Sequence, residues 1–296
     1  MHFVYSPFYF ADLGSHVFPI KKYRLIYARL RTEHHFSETD FITPEPATRA
    51  QLLRVHAEVY LEDLEKPRPT IRTAYSELPL TKEIVEMFIL ACGGTIRAAE
   101  LALKHGAAVH IGGGFHHAFA ERAEGFCYLN DLAVVVREMQ AQGKMRRAMV
   151  VDCDLHQGNG TAKIFAHDPE VFTFSLHQGD LYPLKEQSDF DLHLPNGVRD
   201  EEYLALLQTH LPSLLDEFKP ELIVYQAGAD PYERDQLGDL KLTIAGLAQR
   251  DRLVYQWAKA RRIPLAVTLG GGYAYNTEDT VTIHVNTCRL AHEVLD

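Results

Sequence analysis

Short apolar runs that end in small or polar residues recur along the chain: Ala107 to Ile111 before GGG, Ala148 to Val151 before DCDLH, Val171 to Leu176 before HQGD, Leu222 to Tyr225 before QAGAD, and Ile263 to Leu269 before GGGY. Runs of this length bounded by turn formers predict strands buried on both faces. Between them the spacing becomes helical. Ile84, Val85, Phe88, Ile89, Cys92, Ile96, Ala99 and Leu103 recur at helical intervals after Thr81, which suits an N-cap, and Gly106 supplies a stop. Tyr203, Leu204, Leu207, Leu211, Leu214, Leu215 and Phe218 mark a second helix, in which Pro212 predicts a kink or break. Strands alternating with helices predict an α/β fold with a mostly parallel central sheet. Such sheets bind ligands beyond the carboxyl ends of their strands, which is where the unusual residues of this chain cluster.

Residues 1–80 are less regular and are punctuated by Pro44, Pro46, Pro67, Pro69 and Pro79, with no clean linker to the rest. A chain of 296 residues with 46% hydrophobic and 24% charged residues is long enough for a large core, so the simplest organisation is one domain over residues 1–296. The formal charge of −10, from 30 Lys+Arg against 40 Asp+Glu, disfavours non-specific binding of nucleic acid or an anionic membrane. No apolar run approaches a membrane span, and the aromatic start MHFVYSPFYFAD lacks the pattern of a secretory signal. Cys92, Cys127, Cys153 and Cys288 are far apart without CxxC spacing, which suggests neither a disulfide framework nor a cysteine zinc cluster; a reducing cytoplasm is the expected compartment.

Four segments carry candidate chemistry. VVDCDLHQGNG places Asp152, Asp154 and His156 at alternate positions where a strand ends. If the chain curls there, one carboxylate and the imidazole can face a metal while the other carboxylate supports from behind; a helix cap followed by a polar turn is the alternative. Asp230 ends LIVYQAGAD and can complete an Asp, His, Asp set, although alone it reads as a turn residue. Three protein ligands with open positions describe a catalytic ion, and the donor set admits zinc, iron or manganese. His116 and His117 follow three glycines in HIGGGFHHAF, where they are either surface residues or general acid and base. Tyr273 ends LGGGY, as a core residue or as a phenol that hydrogen-bonds a developing oxyanion.

Taken together, IGGGFHHAFAERAEGFCYLND, VVDCDLHQGNG, FSLH, QAGAD and LGGGY resemble, in order and approximate spacing, the histone deacetylase superfamily, which also includes bacterial acetoin-utilisation and polyamine-deacetylase-like proteins. The resemblance runs from Tyr5 in VYSPFY through VHAEVYLEDL to the C-terminal region, and HQGNG with DPYERDQLGDLKLT looks like the class IV branch. It implies an arginase-like three-layer α/β/α domain. It makes Asp154, His156 and Asp230 ligands of one catalytic zinc or iron ion, His116 and His117 the paired imidazoles, Asp152 and Asn159 their partners, and Tyr273 the carbonyl-polarising phenol. Gly125, Phe126 and Tyr182 would wall an acyl-lysine tunnel with Leu237 at its mouth. A structural K⁺ would take oxygens of Asp152, Asp154, His156, Ser175 and Leu176. Many relatives carry aspartate where Asn159 stands, and no acidic residue at the tunnel rim stands out in the sequence.

The activity implied is hydrolysis of the N-acyl amide of an acetyl-lysine or acylpolyamine by water activated at the ion. An arginase-like ureohydrolase is one rival reading, distinguished by a second metal ion. A non-catalytic acyl-ligand binding protein is another, which the presence of both histidines and Tyr273 opposes.

Overall fold

The computed structural model describes residues 1–296. Eight strands form one sheet: β1 (Phe3–Val4), β2 (Phe41–Ile42), β3 (Ala107–His110), β4 (Ala148–Asp152), β5 (Val171–Gln178), β6 (Phe190–Leu194), β7 (Leu222–Gln226) and β8 (Leu265–Thr268). Their order is β2-β1-β3-β8-β7-β4-β5-β6, and every pairing is parallel. β3, β4, β7 and β8 are buried along their whole length, as runs covered on both faces require. The predicted strands are all present, and β5 continues two residues beyond its expected end to include His177 and Gln178. Both β1 and β2 have two residues, too short to leave a periodic pattern, and β6 lacks the continuous apolar run of a central strand.

The helices are α1 (Lys22–Thr32), α2 (Arg49–Leu52), α3 (Glu58–Glu65), α4 (Ile71–Ala74), α5 (Lys82–His105), α6 (Asp131–Ala141), α7 (Asn159–Phe165), α8 (Asp200–Phe218), α9 (Ile244–Arg261) and α10 (Thr277–Leu295). One group, built on α5 and α6, packs together; α1, α8, α9 and α10 form another, giving an α/β/α sandwich. The predicted boundaries of α5 hold: Thr81 accepts the Ile84 amide, and Gly106 ends the helix at φ 96°. Pro212, by contrast, does not break α8, which continues to Phe218. Leu207, Leu211 and Leu215 bury one continuous stripe across the proline, and Arg261 donates to its carbonyl, so packing outweighs the lost backbone donor.

The register aligns the strand ends. Val4, His110, Thr268, Gln226, Asp152 and Ser175 pair successively across β1, β3, β8, β7, β4 and β5. Loops separated by over a hundred residues in sequence therefore leave the sheet side by side at its carboxyl edge.

Candidate active site

Strand β4 ends at Asp152, and the chain then curls rather than extending. Asp152 Oδ1 accepts the Asp154 amide at 3.1 Å, and Asp154 Oδ1 accepts the His156 amide at 3.0 Å. These bonds separate the side chains: Asp154 and His156 meet Asp230 from the loop after β7, while Asp152 faces His116. His156 Nδ1 lies 3.4 Å from Asp154 and 3.3 Å from Asp230, and Asp230 Oδ1 also accepts the Leu155 amide at 3.0 Å. One donor atom from each of Asp154, His156 and Asp230 lies within 4.8 Å of the other two, and all three residues are buried.

Two buried carboxylates this close are unfavourable without a cation. Burial, then the Asp154 charge, raises the pKa of Asp230. Burial opposes charge on His156, but Asp154 and Asp230 outweigh it and push its pKa up to about 10, so in the absence of an ion a proton fills the gap. The oxygen and nitrogen donors fit a divalent ion, which would supply the missing positive charge and displace that proton.

The paired histidines sit beside this cluster on a tightly pinned loop. Asp131 accepts the Gly114 and Phe115 amides at 3.0 and 2.7 Å, and Asn130 donates to the carbonyls of His116 and Ala118. The LND end of the glycine-histidine motif, Asn130 with Asp131, thus closes back on its start while Asn130 caps α6. The two imidazoles experience opposite fields. His116 Nδ1 faces Asp152 at 2.7 Å; burial disfavours its cation, but Asp152, Asp154 and Asp230 push its pKa up to about 9. His117 Nδ1 faces Asn159 Oδ1 at 2.9 Å, and burial, followed by the charges of His116 and His156, holds its pKa well below the usual value.

Tyr273 is carried into the same space by the glycines after β8. At Gly271, φ is 58°, and an added Cβ would meet the Asp230 carboxylate, so this turn requires glycine on both conformational and steric grounds. Burial, then Asp230 and Asp154, raises the phenol pKa well above its usual value and keeps the hydroxyl protonated. Outward from these groups runs a cavity of about 250 Å³ lined by Gly125, Phe126, Tyr182 and Leu237. His117, His156 and Tyr273 also line it, so the expected wall residues and reactive side chains share one space. Phe126 adopts φ 62°, held by donation of the Gly125 and Phe126 amides to Tyr75 and Ser76, and its ring meets Tyr273 edge-on at 5.7 Å.

Several residues at the site escaped the sequence reading. Exposed Glu77, also at positive φ, stands at the mouth. Asp235 accepts the backbone N–H groups of Tyr273 at 2.7 Å and Leu237 at 2.9 Å; its motif, ERDQLGD, resembles any polar turn. Gln226 accepts from Thr268 at 2.7 Å and donates to Gly114 O at 2.8 Å, linking strand end and glycine loop. Lys22 is fully buried and donates to Gly271 O, while burial lowers its pKa to about 8 against the pull of nearby aspartates. Its only sequence signal is the ordinary-looking dipeptide KK.

A parallel α/β sheet with an Asp, His, Asp cluster, two imidazoles and a phenol at its carboxyl edge defines the class of metal-dependent hydrolases. The family model described as "Histone deacetylase domain" matches residues 16–288, and the chain belongs to the histone deacetylase family. It is 41% identical over 98% of both chains to an uncharacterized protein of Picosynechococcus, and 32% identical to histone deacetylase 2 of Arabidopsis thaliana over 87% of this chain and 70% of that one. The crystal structure of a histone deacetylase homologue complexed with SAHA superposes with a TM-score of 0.86 at 25% identity, covering 98% of this chain and 84% of the other. The family is metal-dependent, and its deacetylases are amide hydrolases. In addition, no helix is long and apolar enough to cross a membrane.

Proposed function

We propose that residues 1–296 form one catalytic domain that hydrolyses the N-acyl amide of acetyl-lysine or a related acylated amine such as an acylpolyamine. The observation that carries this reading is the convergence of the three-ligand cluster, two oppositely tuned imidazoles and Tyr273 beside one cavity, which His117, His156 and Tyr273 themselves line. Asp154, His156 and Asp230 would hold a zinc ion, or iron in its place, which would supply Lewis acidity toward the acyl carbonyl and lower the pKa of a water there.

The chain's own residues do the rest. Gly125, Phe126, Tyr182 and Leu237 enclose the amine's methylenes and exclude water from them. Tyr273 donates its hydroxyl hydrogen to the carbonyl oxygen, a bond that strengthens as negative charge develops there. Neutral His117 takes the proton of the water at Nε2, and the resulting imidazolium returns a proton to the departing amine. His116, paired with Asp152, holds positive charge beside His117. Backbone or side-chain oxygens of Asp152, Asp154, His156, Ser175 and Leu176 would hold a structural K⁺ ion. HQGNG together with DPYERDQLGDLKLT supports a class IV-like reading of the chain.

A screen of fluorogenic acyl-lysines and acylpolyamines of graded chain length, with zinc-loaded enzyme, tests the reading. Release of free amine from at least one series supports it; release of urea from guanidino substrates instead supports the ureohydrolase alternative. Binding without any turnover would assign the site to a binding protein.

A further inference from the structure

An amide beside a catalytic imidazole raises a problem that a carboxylate does not. Either carboxylate oxygen accepts a hydrogen bond, whereas Asn159 presents an oxygen or an NH₂ group according to which way its amide is turned. His117 serves as a base at Nε2 only if its ring hydrogen resides on Nδ1. An Asn159 oxygen facing Nδ1 enforces that tautomer. An NH₂ group facing Nδ1 would instead require a lone pair there and move the hydrogen to Nε2.

The surroundings of Asn159 decide the matter. Its Nδ2 donates to Glu124 Oε1 at 2.7 Å and lies 3.4 Å from the Leu184 carbonyl, while Oδ1 faces His117 at 2.9 Å. Glu124 and the carbonyl can only accept, so the turned amide would set oxygen against oxygen on one side. Glu124 is itself fixed: Arg122 Nη2 donates to its other oxygen at 3.0 Å, and the Glu124 amide donates to Cys127 O at 3.1 Å. The Arg122 guanidinium lies 3.5 Å over the ring of Phe119. Asn159 is buried, so water is not available to replace a lost partner freely.

We propose that Glu124 is a positioning residue, which orients the Asn159 amide and thereby holds His117 as the Nδ1–H tautomer whose Nε2 lone pair faces the reacting water. The inference rests on the assignment of His117 as base in the proposed deacylase. It gives Asn159 and Glu124 the character of a matched pair. Asn159→Asp alone would place two carboxylates against each other where one N–H···O bond now stands, whereas Asn159→Asp with Glu124→Gln restores a donor and an acceptor with their positions exchanged.

The test compares zinc-loaded wild type with Glu124→Leu, Glu124→Gln, Asn159→Asp and the Asn159→Asp/Glu124→Gln double variant. Partners that orient a functional imidazole are worth about 10- to 100-fold in activity. Glu124→Leu is expected to lose kcat in that range with KM little changed; Glu124→Gln, which keeps an acceptor, should stay within a few-fold. The double variant is expected to exceed Asn159→Asp by at least tenfold. Nitrogen-15 NMR of the histidine rings reads the tautomer without turnover: a single Nδ1–H form of His117 in wild type and a mixture in Glu124→Leu. An unchanged tautomer in Glu124→Leu, or a double variant no better than Asn159→Asp, overturns the proposal. If wild type fails to cleave any acyl amide, the proposed function falls, while the NMR comparison still decides the role of Glu124.

Discussion

Asp235→Asn separates positioning from folding at this site. The carboxylate is buried and accepts two backbone donors with different oxygens, Leu237 N at 2.9 Å and Tyr273 N at 2.7 Å. Asparagine has one oxygen, so one of these N–H groups is left facing an NH₂ group. A buried unsatisfied donor costs about 1–3 kcal/mol. Part of this is offset: burial, then repulsion from Asp230, pushes the Asp235 pKa up to about 7, and the neutral amide escapes both. A net stability loss of about 1 kcal/mol therefore follows, small against the several kcal/mol that hold a domain folded. The effect on turnover should be larger. A displacement of about 1 Å at a catalytic group costs on the order of 100-fold, and the lost bond is at the backbone of Tyr273 itself. Urea unfolding and steady-state kinetics on the same zinc-loaded preparation give both quantities. A kcat within threefold of wild type alongside the expected stability loss would refute the positioning argument.

Tyr273→Phe keeps the ring and removes one oxyanion donor, so kcat should fall by about 100- to 1000-fold with KM nearly constant, measured on an acetyl-lysine peptide. Gly125→Ala adds a methyl at φ 51° against the His117 ring and the Tyr182 hydroxyl, so turnover should drop at least tenfold, read by steady-state kinetics. The pH profile follows from His117, which must be neutral to act. Burial and then the His116 charge lower its pKa, so activity is lost only as pH falls through that lowered value, and the acidic limb of kcat/KM should lie below about 6.5, the ordinary histidine value. In the Asn159→Asp/Glu124→Gln variant a carboxylate stabilises the imidazolium, raises the pKa and moves that limb to higher pH; a limb displaced downward would exclude His117 as the base.

The strands that build the site were legible because central parallel strands are apolar on both faces, and the residues after them stand out as polar breaks. Asp154, His156 and Asp230 follow two such breaks. Their meeting depends on the pairing of Asp152 with Gln226, a register that no local pattern encodes. Asp235 and Glu124 remained hidden for a different reason. Each acts through backbone amides or another side chain, and its own neighbours in sequence look like ordinary surface turns. Pro212 misled because helix propensity is local, whereas α8 is held by a buried leucine stripe.

In the proposed deacylase, one ion held by Asp154, His156 and Asp230 is required for amide hydrolysis. Zinc titration into chelator-treated protein, with bound metal and deacetylation followed together, tests it most directly. Turnover should rise from near zero and saturate at one equivalent, and Asp154→Ala or Asp230→Ala should lose metal and activity together. Full activity without metal, a requirement for two equivalents, or normal occupancy and turnover in both variants would contradict it.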